Sequence, residues 1–238
     1  MSELLTIGDL SIEVVKKDIK NIHLTVNPPD GRVRIAAPER MQMEAIRLFT
    51  ISKLSWIRKQ QQRLRDQERE TAREFLDRES HYVWGKRYLL QVVDLEAAPK
   101  VEIKHSKLVL HIRPGADEAS RDEALALWYR QTLKAAAMPL IETWKQGLGV
   151  DVVGFYVQKM KTRWGSCNPL VHTIRLNTEL AKKPRECLEY VVVHEMVHIL
   201  EPSHNLRFQS IMDGAMPAWR DIRDLLNRLP ARHERWGY

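Results

Sequence analysis

The sequence has no long apolar run, and none of its stretches reaches the roughly 18 apolar residues that a helix needs to cross a bilayer. Its first residues, Met1 to Leu5, contain neither a basic segment nor a long apolar stretch, so they do not predict a signal peptide. The two cysteines, Cys167 and Cys187, are too few for a disulfide framework. We therefore expect a cytoplasmic protein without a membrane segment.

The chain does have enough apolar material for a folded core. Of its 238 residues, 44% are hydrophobic, which argues against disorder. The net charge is +7, and the window 156–185 holds seven basic residues and one acid. This basic window is either a solubilising surface or a sign of an anionic substrate or partner.

The first half of the chain is predicted to be rich in strands. Alternating apolar residues predict strands over 11–15, 21–26, 32–35, 82–93 and 101–112. An apolar stripe from residue 39 to residue 78 predicts one long helix between the two groups of strands. Pro114-Gly115 ends this β-rich region, so we predict a division into residues 1–115 and 116–238.

The second half is predicted to be mainly helical with a small sheet. Apolar periodicity predicts four helices, over 120–145, 184–200, 205–212 and 217–229. Pro139 should kink or break the first of them, because proline removes a backbone donor. Segments 152–160 and 173–177 are apolar and β-branched enough for strands.

The helix over 184–200 carries the motif that predicts chemistry. His194 and His198 are four residues apart, so both imidazoles leave the same face and can reach one metal ion. Glu195 lies about 100° around the helix from His194, beside the metal rather than on it. This is the H-E-x-x-H arrangement of zinc hydrolases, in which the carboxylate takes a proton from an activated water.

A third ligand is expected just after this helix. Pro202 ends the helix, Ser203 is a suitable N-cap for the next one, and His204 can turn back toward the metal. Three nitrogens plus a water make an open, catalytic site, and Glu201 is a weaker alternative as third ligand. A structural zinc would need a fourth ligand such as Cys167, and imidazoles also suit copper, iron and nickel.

The segment 161–168, Lys-Thr-Arg-Trp-Gly-Ser-Cys-Asn, is the second candidate feature. It is either a turn with an exposed Trp164 or part of the wall of a cleft. In a cleft, Lys161 or Arg163 could bind an anion or stabilise a developing oxyanion. Cys167 is interpreted as a small buried residue rather than a nucleophile.

Several of these segments together resemble a known family. The segments are Lys-x-Arg-Trp-Gly-Ser-Cys at 161–167, Ile-Arg-Leu-Asn at 174–177, Tyr-Val-Val-Val-His-Glu-x-x-His at 190–198 and Ser-His-Asn-x-x-Phe at 203–208. From about residue 20 to 230 the chain is similar to the YgjP-like family of predicted zinc metallopeptidases, relatives of the SprT-like proteases. The order of strand and helix patterns predicts an α+β fold. The resemblance implies a zincin-like C-terminal half, His194, His198 and His204 as zinc ligands, and Glu195 as general base.

Three functions remain open from the sequence. The leading one is an M48/SprT-like metallopeptidase that holds an extended peptide along the strand 152–160. The second is a zinc-dependent nucleoside triphosphate phosphohydrolase, an activity also associated with the family. The third is a nucleic-acid-associated module with structural zinc. The predicted substrate-binding residues are Lys161, Arg163, Trp164 and Arg175, the cations serving as phosphate ligands in the second case.

Overall fold

The structure is a computed structural model that describes residues 2–27, 31–66, 76–160 and 163–229. Contacts within the chain divide the described residues into two compact units, the first within residues 2–66 and the second within residues 76–229. The fold is α+β, as predicted, with a β-rich first part and a helical C-terminal part.

The first unit is a four-stranded sheet followed by two helices. Its elements are β1 (Ser2–Ile7), β2 (Leu10–Lys17), β3 (His23–Asn27), β4 (Arg32–Pro38), α1 (Met43–Ser52) and α2 (Leu54–Asp66). The strand order is β1-β2-β4-β3, with β2 and β4 parallel and the two outer pairs antiparallel. Alternate apolar residues such as Ile12, Val14 and Ile35 are fully buried, together with Ile46 and Ile57 of the helices.

The single long helix predicted over 39–78 is wrong, because the described part of this segment forms two helices separated at Lys53. The backbone of Lys53 leaves the helical region at φ −107° and ψ 2°. Next to it, Thr50 donates its hydroxyl to the carbonyl of Ile46 and Ser52 donates to Phe49. Such side-chain bonds compete with helix continuation. The predicted residues 67–75 lie outside the described part of the chain.

The second unit contains two sheets, four α-helices and one 3-10 helix among its described residues. Its elements are β5 (Ser80–Val83), β6 (Lys86–Asp94), β7 (Lys100–Lys104), β8 (Lys107–Ile112), α3 (Glu118–Leu148), β9 (Gly154–Gln158), β10 (Gly165–Asn168), β11 (Thr173–Asn177), a 3-10 helix (Thr178–Lys182), α4 (Arg185–Leu200), α5 (Leu206–Ala215) and α6 (Trp219–Arg228). The sheet β5-β6-β8-β7 repeats the strand order and directions of the first unit's sheet.

The predicted boundary after residue 115 falls inside this second unit. Leu125 of α3 packs in one apolar cluster with Leu108 and Leu110 of β8. The β5–β6 hairpin also contacts the segment before α4, since the backbone N–H of Trp84 donates to the carbonyl of Ala181 at 2.9 Å. Whether residues 1–115 and 116–238 are independent domains stays a prediction.

Helix α3 runs through Pro139 without ending and spans 31 residues, so of the predicted kink or break the break is wrong. Its buried positions, including Tyr129, Leu133 and Ile141, join the core around α4.

Helix α4 forms the centre of this core, because its sequence is apolar on almost every side. Val192, Val193, Met196 and Val197 have no exposed surface. The small sheet has the order β10-β11-β9, and β10 packs against α4. None of the helices in the described ranges is both long enough and apolar enough to span a membrane.

Candidate metal centre

Three imidazoles meet at the C-terminal part of α4. His194 and His198 come from successive turns of this helix, and His204 comes from the loop after it. One ring nitrogen from each residue lies within 4.8 Å of the other two. The Nε2 atoms of His194 and His204 are 3.0 Å apart, close to the separation of about 3.4 Å that two nitrogens have on one tetrahedral zinc. The donor set and its spacing therefore fit a metal ion such as zinc.

A hydrogen bond to the backbone orients His198. Its Nδ1 lies 3.0 Å from the carbonyl oxygen of Glu201, so with Nδ1 protonated the Nε2 lone pair is free for a metal. The carboxylate of Glu201 is used elsewhere, because it accepts the Ser203 hydroxyl at 2.8 Å. Glu201 is not part of the histidine cluster, and it contacts the site through its main chain.

The aromatic ring of Phe208 packs against all three imidazoles. Its ring centroid lies 5.0, 4.8 and 4.7 Å from those of His194, His198 and His204. The side chain is fixed by the start of α5, where the Phe208 N–H donates to the carboxamide of Asn205 at 3.0 Å. The predicted N-cap at Ser203 is therefore wrong: the cap is Asn205, and His204 precedes the helix.

Burial keeps His194 and His198 in the form that binds metal. Desolvation lowers the pKa of His194 to about 3 and also lowers the pKa of His198. Both imidazoles are thus neutral near pH 7. The buried Nδ1 of His194 has no hydrogen-bond partner among the described residues, so ring packing against Tyr190 and Phe208 holds this side chain in place.

Glu195 stands beside the histidines rather than among them. Its side chain is only 6% exposed, and burial raises its pKa to about 8, with Arg163 opposing the shift. The backbone of Gly165 at the start of β10 lies directly against it. A Cβ atom at position 165 would come within 2.6 Å of the Glu195 Oε1 and 2.7 Å of its Cγ. Only glycine fits here without displacing the carboxylate.

These groups share one cleft of about 490 Å³. Its lining residues come from α4, from the loop that holds His204 and from β10 with its flanks: Arg163, Trp164, Gly165, Ser166, Cys167, Pro169, Tyr190, Val191, His194, Glu195, His198, Pro202 and His204. The cleft thus has a histidine wall on α4 and its following loop, and a strand wall formed by residues 163–167.

The sequence of the chain matches the profile of the YgjP-like, metallopeptidase domain family over residues 20–229. The chain belongs to the YgjP-like metallopeptidase family. This membership agrees with the resemblance drawn from its motifs, and the histidine cluster lies within the matched residues. None of the curated proteins compared with this YgjP-like chain matches it.

Two solved structures are similar to parts of this YgjP-like chain. One is the crystal structure of the metallopeptidase zymogen of Pyrococcus abyssi abylysin, with 19% identity and a TM-score of 0.36, covering 40% of this chain and 98% of that one. The other is the metallopeptidase zymogen of Methanocaldococcus jannaschii jannalysin, with 17% identity and a TM-score of 0.30, covering 41% of this chain and 92% of that one.

The predicted substrate-binding residues of this YgjP-like chain do not all meet at the cleft. Arg163 and Trp164 line it, whereas Lys161 lies outside the described residues. Arg175 is on β11 between the buried Ile174 and Leu176, so it points to the opposite face of the sheet. There its guanidinium lies 5.9 Å from the centre of the Tyr156 ring.

The basic window is also not a continuous surface. Lys182 and Lys183 are 7% and 4% exposed, and the Lys182 ammonium is paired with Glu179 at 2.7 Å. Lys182 and Lys183 are therefore buried in the fold and are not accessible to an anionic partner.

Cys167 lines the cleft but is not part of the histidine cluster. Burial raises the pKa of its thiol to about 11, so the thiol is protonated near pH 7. This environment agrees with its interpretation as a residue other than a nucleophile.

Sequence reasoning missed two residues that shape the site, Gly165 and Phe208. Phe208 could have been predicted, because it lies four residues after His204 with the capping residue Asn205 between them. The contact between Gly165 and Glu195 joins residues 30 positions apart in the chain, and no local pattern marks it.

Proposed function

We propose that the protein is a zinc-dependent peptidase in which His194, His198 and His204 hold the metal. The observation that supports this best is the cluster of three histidines with a buried carboxylate beside it in the same cleft. A zinc ion held by three nitrogens keeps an open position, lowers the pKa of a water there and polarises a carbonyl group.

Glu195 is the general base in this proposal. A zinc ion held by the three histidines would lower the pKa of this carboxyl again, and its ionised form then accepts a proton from the attacking water and donates it to the nitrogen of the leaving amine. The position of Glu195 supports this role, because it lines the cleft one residue from a ligand and is outside the ligand set. The exposed guanidinium of Arg163 lies on the opposite wall, where it can stabilise negative charge that develops on the carbonyl oxygen.

The peptide is proposed to bind along β10 rather than along β9, the strand favoured by the sequence. Both are edges of the described sheet, but β10 lines the cleft. The N–H of Asn177 donates to the carbonyl of Trp164 at 2.9 Å. Because residues of an antiparallel strand bond to the neighbouring strand in alternation, the backbone N–H and C=O groups of Gly165 and Cys167 point away from β11, toward the open edge. An extended peptide can pair with them.

A phosphate-bearing substrate has less support. Binding a triphosphate requires several cationic side chains. Among the described residues that line the cleft, Arg163 is the single lysine or arginine. A structural zinc takes four protein ligands, whereas the cluster found in the described residues has three. The geometry therefore favours a peptidase over the phosphohydrolase and the nucleic-acid-associated module.

The test is a substrate panel of denatured proteins and nucleoside triphosphates, run on the zinc-loaded protein, on chelator-treated protein and after zinc is restored. We expect cleavage of denatured protein that disappears with the chelator and returns with zinc. Release of phosphate or pyrophosphate without any peptide cleavage would overturn the peptidase proposal in favour of the phosphohydrolase.

A further inference from the structure

The side chain of Asn177 is buried at the end of β11 and uses all of its hydrogen-bonding capacity. It is 5% exposed. Its Nδ2 donates to the carbonyl oxygen of Met160 at 2.9 Å and to that of Arg163 at 2.8 Å. Its Oδ1 accepts the N–H of Glu179 at 3.2 Å and that of Met160 at 3.4 Å. A carboxamide has two donor hydrogens and two acceptor lone pairs, so none is left over.

These bonds fix the approach to the strand wall. Met160 and Arg163 lie on either side of residues 161–162, so one carboxamide joins both ends of that short connection. The backbone N–H of Asn177 also donates to the carbonyl of Trp164. Asn177 therefore bonds to the two residues that immediately precede Gly165, yet it is not among the residues that line the cleft.

The position of this wall matters because its fit against Glu195 is close. The space at Gly165 leaves no room for even a methyl group beside the carboxylate. A displacement of about 1 Å in a catalytic group can cost roughly 100-fold in rate. A residue that fixes the backbone at 163 and 164 consequently determines where Arg163 and the strand wall lie relative to Glu195.

We propose that Asn177 is a positioning residue that holds residues 163–165 against Glu195 through the carbonyls of Met160, Arg163 and Trp164. The proposal rests on the peptidase function for its effect on catalysis, but the local geometry can be tested without any substrate. Asn177→Asp is the sharpest variant, because a carboxylate has the same size and cannot donate to either carbonyl.

Two cysteines provide a readout of local position that is independent of activity. Cys167 lies on β10 in the strand wall, whereas Cys187 lies on α4 with no exposed surface. In Asn177→Asp we expect a maleimide reagent to label Cys167 at least about 5-fold faster than in wild type while labelling of Cys187 is unchanged. Zinc content should stay at one per chain, and kcat/KM for a denatured protein should fall by roughly 100-fold.

The matched control is Thr178→Val. Thr178 is the next residue, is 8% exposed, and its side chain makes no hydrogen bond to the segment 160–164 among the described residues. This variant should keep wild-type labelling and activity. If Asn177→Asp does not fold, Asn177→Ala removes both donors at smaller size and takes its place.

Unchanged labelling of Cys167 with unchanged activity in Asn177→Asp overturns the proposal. Equal acceleration at Cys167 and Cys187 also overturns it, because that result describes a general loss of stability. If wild type cleaves no peptide, the proposed function fails, while selective acceleration at Cys167 still supports the positional role of Asn177.

Discussion

The two walls of the cleft are built differently. The histidine wall is part of the central core: its helix α4 is buried, and Phe208 packs under all three imidazoles. The strand wall, residues 163–167, contributes no side chain to the histidine cluster and meets Glu195 through the bare backbone of Gly165. Its place is set by hydrogen bonds from Asn177.

This difference indicates that metal binding and turnover depend on different elements. Changes in the histidine wall should remove the metal and the activity together. Changes in the strand wall should reduce activity while the metal stays bound. Variants on either side can therefore break or sharpen the comparison.

The largest effect is expected from the histidine wall. His198→Ala removes one of three ligands, so zinc content should fall well below one per chain and peptide cleavage should fall to background. Metal analysis after dialysis, together with a cleavage assay, measures both. His23→Ala, an exposed histidine of β3, should change neither. Full zinc retention in His198→Ala would remove this residue from the ligand set.

The next largest effect is expected from Gly165→Ala on the strand wall. The added methyl would meet Glu195 at 2.6 Å, so the carboxylate or the strand must move. We expect kcat to fall by roughly 100-fold while zinc content stays at one per chain. Gly214→Ala on α5 is the control, because a Cβ there meets nothing within 4 Å. A Gly165→Ala protein that has lost its zinc would contradict the separation of the two walls.

Glu195 should also make the stability of the metal-free protein depend on pH. Its pKa is about 8 in the folded state and 4.5 as a model value, so the folded state binds more protons between these limits. The carboxyl therefore costs little stability below pH 4.5, and its cost grows as the pH rises through 8. Metal-free Glu195→Gln should be more stable than metal-free wild type by about 5 kcal/mol at pH 9.

Urea unfolding of the two metal-free proteins between pH 4 and pH 9 measures this difference. It should shrink toward zero at the acid end, because the wild-type carboxyl is then protonated in both states. A difference that is constant across the range would assign the effect to packing instead of to ionisation.

The smallest effect is expected from alanine substitutions of Arg163 and Arg175, which the sequence analysis predicted to be substrate-binding residues. Arg163 lines the cleft, and Arg175 lies on the opposite face of the sheet. Arg163→Ala should lower kcat/KM by about 10-fold through lost charge stabilisation, and Arg175→Ala should leave it within about 2-fold. Steady-state kinetics on one denatured substrate compares them. Equal losses in both would show that the strand wall is not where the substrate binds.

The sequence predicted the parts of the site that depend on local periodicity. Helix α4 is found over Arg185–Leu200, against a prediction of 184–200, and its four-residue spacing brings His194 and His198 together. The placing of His204 followed from Pro202, which the sequence pattern identified as a helix stop. The α+β fold also followed from the order of strand and helix patterns.

Features that depend on contacts between distant segments could not be predicted in this way. The burial of Lys182 and Lys183 depends on a 3-10 helix that no periodicity marked. The position of Arg175 is different, because the period-two pattern of β11 was enough to place its side chain on the face opposite Ile174 and Leu176.

The close contact between Gly165 and Glu195 could not be predicted from the sequence, because it joins residues that are far apart in the chain. The cytoplasmic location and the independence of the two halves stay predictions.

The most direct test of the account is the zinc content of Glu195→Gln measured together with its peptide cleavage. The variant keeps the size of the side chain and all three histidines, and it removes the group proposed to accept the proton. We predict one zinc per chain, as in wild type, and a rate of cleavage lower by about 1,000-fold. Cleavage at the wild-type rate, or loss of the zinc, would contradict the division between metal binding and proton transfer.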